Sequence, residues 1–107
     1  MPVKVEFSDN DVTALISGDI DHHSAKSIRE EIDCAIFEKS PKTLVLDFSQ
    51  VGFMDSSGIG LVIGRFKSMQ EINGKLIVQN PPYHIKKVMK LAGIDKIAKI
   101  TAKEDVI

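Results

Sequence analysis

The sequence predicts an α/β fold: a single domain over residues 1–107 with a mixed, mostly parallel sheet of about five strands. Short runs of β-branched and apolar residues, such as residues 43–48, alternate with longer segments in which apolar residues recur at helical spacing. Strands that alternate with helices in this way are joined by right-handed crossovers, which make neighbouring strands parallel. The first two strands lie too close in sequence for a crossover, so they predict an N-terminal hairpin.

The first half of the chain predicts the hairpin, one helix and one strand. Residues 3–7 and 12–17 are rich in strand formers and are separated by the polar turn Ser-Asp-Asn-Asp. The segment Asp-Ile-Asp-His-His then supplies helix-capping residues, and Lys39-Ser40-Pro41 ends the helix. Residues 43–48 are predicted to be a buried parallel strand. The apolar stripe of the helix consists of Ala25, Ile28, Ile32, Ala35 and Ile36.

The second half predicts two further helices and two further strands. The second helix ends at Asn73-Gly74, where a positive φ is tolerated, and a strand follows at residues 75–79. A third helix starts at Pro81-Pro82 and ends at Gly93, and we expect a last strand at residues 96–100, followed by a truncated helix or a loose tail. The apolar stripes are Ile59, Val62, Ile63, Phe66 and Met69 in the second helix, and Ile85, Val88, Met89 and Ala92 in the third.

Charge and composition restrict the function classes. The chain has 14 basic and 15 acidic residues, so it lacks the cationic surplus of proteins that bind nucleic acid non-specifically. Cys34 is the only cysteine, and no apolar run approaches the ~20 residues of a membrane helix. We therefore expect a cytoplasmic protein that binds neither nucleic acid nor membrane. A basic cluster in the second half is interpreted as a solvated surface, and it consists of Lys86, Lys87, Lys90, Lys96 and Lys99.

A run of small and polar residues interrupts the apolar pattern at residues 53–64, Phe-Met-Asp-Ser-Ser-Gly-Ile-Gly-Leu-Val-Ile-Gly. Asp55 or Ser56 can cap the second helix by accepting a hydrogen bond from a free backbone N–H, which is worth ~1 kcal/mol. The cap leaves Gly58 and Gly60 unexplained, because each weakens a helix by up to ~1 kcal/mol relative to alanine. Either the first helical turn is pressed against the sheet, or it is left bare for a partner.

Three kinds of catalytic or ligand site fit the sequence poorly. A dinucleotide-binding turn at Gly58 needs a small residue at position 63 and an acidic residue near position 79, where the chain has Ile63 and Gln79. A serine nucleophile with one of the three histidines as its base would lack the Gly-x-Ser-x-Gly context. Adjacent residues such as His22 and His23 rarely bind one metal ion together. We expect no metal and no other cofactor.

A phosphorylation switch explains the serines and the glycines together. A serine at an exposed helix start is accessible to a kinase, and the N–H groups there tolerate a phosphate. A partner docked on the same bare turn would instead meet a bulky group of about −1.5 to −2 charges. The residues alone leave open whether Ser56 or Ser57 carries the phosphate.

Three segments resemble the anti-sigma factor antagonists of the STAS domain family. They are Gly-Asp-Ile-Asp-His-His-Ser-Ala at residues 18–25, residues 53–67 around Asp-Ser-Ser-Gly, and Leu-Ala-Gly-Ile-Asp-Lys-Ile at residues 91–97. The resemblance implies one STAS domain that has no catalytic activity of its own. The Asp-His-His segment favours the sporulation type. The alternatives are an antagonist in a stress or other regulatory sigma pathway and a small nucleotide-sensing STAS module.

The resemblance also implies a cycle of partners. The unphosphorylated form would bind an anti-sigma factor that is also a serine kinase, and this binding would free a sigma factor. The kinase would phosphorylate Ser56 and so end binding, and a metal-dependent serine phosphatase would restore the first form. The implied partner surface consists of Asp21, His22, His23, Asp55, Ser57, Gly58, Ile59 and Gly60.

Overall fold

The computed structural model describes residues 2–102 and shows one five-stranded sheet with α-helices in its connections. The strands follow each other across the sheet in chain order, with β1 and β2 antiparallel and the remaining pairs parallel. The predicted mixed α/β fold is confirmed. The tail expected after the last strand lies outside the described residues. The elements are β1 (Val3–Ser8), β2 (Asp11–Ile20), α1 (Ala25–Lys39), β3 (Thr43–Met54), α2 (Ser56–Glu71), β4 (Lys75–Gln79), α3 (Tyr83–Leu91), a 3₁₀ turn (Ile94–Lys96) and β5 (Lys99–Thr101).

The core lies against one face of the sheet. Because β2 to β5 follow each other in one direction, every right-handed crossover places its helix on the same side. Alternate strand residues point to that side and are buried, whereas Thr13, Val45 and Ile77 on the opposite face are only half-buried. The buried strand residues include Val12, Ala14, Ile16, Leu44, Leu46, Phe48, Leu76 and Val78.

Two strands extend further than predicted, and the last strand is displaced. β2 continues to Ile20 and β3 to Met54, because β3 leaves β4 after Asp47 and pairs only with β2 from there on, across two register shifts. The predicted strand at residues 96–100 is wrong at its start. Gly93, with a φ of 82°, begins a 3₁₀ turn, so β5 is confined to Lys99–Thr101.

The predicted apolar stripes are confirmed in α1 and only partly in the other helices. In α3, Ile85 and Met89 are buried, but Val88 and Ala92 are exposed, because this nine-residue helix packs along a single line of i, i+4 residues. In α2, Ile59, Ile63 and Phe66 are half-buried at the side of the contact. The centre of the α2 contact is formed by Gly58, Leu61, Val62, Arg65 and Met69.

Candidate functional site

The two polar segments picked out by the sequence meet where β2 and β3 end. Ile20 and Met54 are paired in the parallel register, and the N–H of Asp55 donates to the carbonyl oxygen of Ile20 at 3.1 Å. The loop at residues 21–24 and the start of α2 therefore lie side by side at the carboxyl edge of the sheet. This is the edge at which parallel sheets collect their functional groups.

Asp55, and not Ser56, caps α2. Asp55 has extended backbone geometry, and its Oδ1 accepts a hydrogen bond from the N–H of Ser57 at 2.7 Å. Ser56 is exposed, and its hydroxyl makes no hydrogen bond within residues 2–102. Since Asp55 stabilises the helix start, the hydroxyl of Ser56 is left free for chemistry.

The glycines of the first turns have two different surroundings. Gly58 is buried, and a Cβ at this position would overlap the side chain of Met54 and lie 3.4 Å from Cγ2 of Ile20. Gly60 is exposed, and a Cβ there would meet nothing within 4 Å. Gly58 therefore fits the explanation of a tightly packed first turn, and the open space above Gly60 is what the explanation of a bare turn expects. Gly58 is needed for packing, so it does not belong to the bare surface.

Asp21 shapes the loop before α1. Its Oδ1 accepts hydrogen bonds from the N–H groups of His23 and Ser24, each at 2.9 Å. The Ser24 hydroxyl accepts from the N–H of Asp21 at 3.1 Å and donates to the carbonyl oxygen of Asp19 at 2.8 Å. The Ser24 N–H bond, followed by that of His23, holds the pKa of Asp21 below its ordinary value. Asp21 is therefore ionised and holds the loop that carries His22 and His23.

The three histidines make no hydrogen bond to Ser56 or Ser57 in the described part of the chain. His22 and His23 are exposed, with ring centroids 5.8 Å apart in an edge-to-face arrangement. The Nε2 of His84 lies 3.0 Å from the carbonyl oxygen of Gly52, a contact that ties the start of α3 to β3. None of these rings is hydrogen-bonded to Ser56 or Ser57 within the described residues. The arrangement expected for a serine nucleophile and its base is not present there.

A groove runs between the start of α1 and the first turns of α2. Its volume is about 420 Å³. Lys26 and Arg29 line it, and neither is among the residues that the sequence predicts for the site. The available signal was the spacing of Lys26 and Arg29, because residues three apart share one side of a helix, and the predicted site segment lies just before them. The lining residues are His22, Ala25, Lys26, Arg29, Ser57, Gly60 and Leu61.

The family model for the STAS domain matches residues 2–106. The chain belongs to the STAS domain family. Two curated relatives are an anti-sigma F factor antagonist from Lysinibacillus sphaericus, 36% identical over 83 residues, and an anti-sigma-B factor antagonist from Bacillus subtilis, 29% identical over 103 residues. The first alignment covers 78% of this chain and 71% of the relative, and the second covers 96% and 93%. The chain is thus homologous to anti-sigma factor antagonists.

Solved STAS structures agree with this membership. The anti-sigma factor antagonist SpoIIAA in its unphosphorylated form superposes with a TM-score of 0.81 at 32% identity, covering 96% of this chain and 90% of that one. The Bacillus cell fate determinant SpoIIAA in the phosphorylated form superposes with a TM-score of 0.74, also at 32% identity, covering 96% and 94%. None of the helices in residues 2–102 is long and apolar enough to cross a membrane.

The STAS fold brings most of the predicted partner residues to one surface. His22, Ser57 and Gly60 line the groove, and His23 is exposed beside it. Asp55 is engaged as the helix cap. Ile59 is half-buried and packs against the core. Asp21 holds the loop in place, and Gly58 is buried in the packing of α2.

Proposed function

We propose that this chain is an anti-sigma factor antagonist controlled by phosphorylation of Ser56. In its unphosphorylated form it binds an anti-sigma factor and thereby releases a sigma factor. The observation that carries the proposal is the exposed hydroxyl of Ser56, which has no structural duty because Asp55 caps the helix. The chain is homologous to anti-sigma factor antagonists, and it resembles a protein solved in unphosphorylated and phosphorylated forms. Both similarities support the same function.

A phosphate on Ser56 is expected to end binding without disturbing the fold. The free N–H groups and the dipole at the start of α2 favour an anion at this position. A partner that covers Ser56 and Gly60 would have to bury a group of about −1.5 to −2 charges. The added charge therefore acts on the complex, while the free protein tolerates it.

The partners follow from this cycle. We infer that the anti-sigma factor is also the serine kinase, that a metal-dependent serine phosphatase removes the phosphate, and that the chain itself catalyses no reaction. The cycle takes place in the cytoplasm, where sigma factors act. Sporulation is the pathway we favour, because the relative with 36% identity is an anti-sigma F factor antagonist. The relative from Bacillus subtilis makes a stress-type pathway the second candidate.

Binding measurements test the proposal. Isothermal titration should show that the unphosphorylated chain binds the anti-sigma F factor of Lysinibacillus sphaericus more tightly than the anti-sigma-B factor of Bacillus subtilis. Ser56→Ala should bind as the wild type does, because the hydroxyl makes no hydrogen bond within residues 2–102 and its loss adds no charge. Ser56→Asp should bind at least about tenfold more weakly, a loss of about 1.4 kcal/mol. Absence of binding to both anti-sigma factors would contradict the function, and preference for the anti-sigma-B factor would overturn the sporulation assignment.

A further inference from the structure

The groove beside Ser57 carries charge of one sign. Lys26 and Arg29 of α1 line one wall, His22 precedes them, and no aspartate or glutamate is among the lining residues. Lys26 and Arg29 are three residues apart and both exposed, so their side chains lie on the same side of α1. Gly60 and Leu61 form the facing wall. The groove therefore combines a basic wall with a wall in which Gly60 has no side chain.

These cations have no acidic partner in the described part of the chain. Lys26 and Arg29 form no ion pair there. Asp33, one helical turn after Arg29, is bound instead by Arg65 of α2, whose Nε lies 2.9 Å from its Oδ1. Burial lowers the pKa of Arg65, and Arg29 is near enough to lower it further. Lys26 and Arg29 are thus the charged residues of the groove lining, and neither has an acidic partner within residues 2–102.

On the basis of the proposed function, we propose that this groove receives an acidic segment of the anti-sigma factor. Carboxylates of that segment bind to Lys26 and Arg29, and the missing side chain of Gly60 lets its backbone approach α2. Charge complementarity identifies the occupant, since complementary charges across an interface speed association and select the partner.

The same groove gives the phosphate a second means of ending binding. Ser56 adjoins Ser57, a residue that lines the groove. A phosphate at Ser56 brings about −1.5 to −2 charges next to this lining residue, where it repels the acidic segment. Phosphorylation thereby opposes the partner's negative charge with a negative charge on the chain itself.

Charge reversal tests the inference. In the full chain, Lys26→Glu/Arg29→Glu should weaken binding to the anti-sigma F factor of Lysinibacillus sphaericus by about 10- to 100-fold at low salt, with a flatter dependence on salt. Lys26→Gln/Arg29→Gln should lose less, because it removes attraction without adding repulsion. The matched control is Lys87→Glu/Lys90→Glu on α3, which makes the same charge change away from the groove lining and should stay within about threefold of the wild type.

The outcomes separate this inference from the proposed function. If Lys26→Glu/Arg29→Glu is folded, as melting curves would show, and still binds with wild-type affinity, the groove does not bind an acidic segment. The proposed function as an anti-sigma factor antagonist would still stand. Equal losses in the groove and α3 variants would also overturn the inference about the groove, because net charge and not the groove would then govern binding. A wild-type chain that binds neither this anti-sigma factor nor the anti-sigma-B factor of Bacillus subtilis would overturn both.

Discussion

Gly58 and Gly60 lie two residues apart in α2 and serve different purposes. Gly58 is covered by Met54 and Ile20, whereas the space above Gly60 is open. The sequence indicated that both glycines needed a reason, because each weakens a helix. It could not assign the reasons, because contact with Met54 depends on the turn at Asp55 that brings the end of β3 under the helix.

Alanine at each glycine should therefore have opposite effects on stability. Gly58→Ala is expected to destabilise the fold by about 1–3 kcal/mol, because the added methyl overpacks the contact with Met54. Gly60→Ala is expected to stabilise it by up to about 1 kcal/mol through helix propensity. Urea denaturation of both variants measures the difference. A Gly58→Ala protein as stable as Gly60→Ala would show that Gly58 is not needed for packing.

Asp47 is a buried carboxylate within the predicted strand at residues 43–48, and the sequence gives no indication of its role. Its Oδ1 accepts from the N–H of Ser49 at 2.8 Å, and its Oδ2 accepts from Nε2 of Gln79 at 2.8 Å. Burial alone would raise the pKa of Asp47, but the hydrogen bonds from Gln79 and Ser49 outweigh it and hold the pKa below its ordinary value. The carboxylate therefore fixes the point at which β3 separates from β4.

Acid should remove the contribution of Asp47 to stability. The folded-state pKa lies below the unfolded value of about 3.9, so the contribution is complete above about pH 4 and is lost as the pH falls through the folded-state pKa. Urea denaturation at about pH 7 and about pH 3 should show a smaller acid loss in Asp47→Asn than in the wild type. An equal loss in both proteins would mean that this carboxylate is not linked to folding.

At the scale of elements, α1 and α2 are joined by an ion pair of unequal burial. The side chain of Arg65 is 7% exposed and that of Asp33 is 43% exposed. Their Nε and Oδ1 atoms are close, but the N–H does not point at the oxygen, so the contact is an ion pair and not a hydrogen bond. Periodicity could not reveal it, because an arginine within an apolar stripe gives no indication of its partner.

Removing Asp33 should destabilise the fold more than replacing Arg65. Asp33→Ala leaves a buried guanidinium without its counter-charge and should cost on the order of 2 kcal/mol, less than for a fully buried pair because Asp33 is partly in water. Arg65→Met fills the buried space with an apolar side chain, and the remaining carboxylate can be solvated, so it should cost less than about 1 kcal/mol. Chemical denaturation compares the two, and a larger loss in Arg65→Met would contradict this account.

The order of the elements was predictable, but their limits near the site were not. Local patterns identified each helix and strand, and capping residues located the end of α1 at Ser40 and the start of α2 at Asp55, whereas the N-cap of α1 is Ser24 and not a residue of the predicted segment 19–23. The extension of β3 to Met54 depends on pairing with β2 across register shifts, which a local pattern does not contain. Lys26 and Arg29 became visible as site residues only when α1 was placed beside α2.

At the scale of the whole molecule, the switch lies at the surface of a core that does not depend on it. The helices of the crossovers cover one face of the sheet, and Ser56 projects from its carboxyl edge. Within residues 2–102 the hydroxyl of Ser56 has no partner to lose on modification. The fold therefore has no structural reason to change when the serine acquires a charge.

Ser56→Asp should therefore weaken partner binding without lowering the stability of the fold. The free energy of unfolding of Ser56→Asp is expected to be at least that of the wild type, and up to about 1 kcal/mol higher, because a negative charge favours the start of a helix. Thermal melting followed by circular dichroism provides the measurement, with Ser56→Ala as the uncharged control. If Ser56→Asp melted well below Ser56→Ala, weak binding by this variant would reflect damage to the fold and not a switch.

Mapping the phosphorylated residue tests the central claim most directly. The chain is incubated with ATP and the anti-sigma F factor of Lysinibacillus sphaericus, and tandem mass spectrometry then locates the phosphate. The account predicts one phosphate on Ser56 and none on Ser56→Ala. A phosphate on Ser57 alone would contradict the assignment of the switch residue, and a complex that forms without any phosphorylation would contradict the proposed control by this kinase.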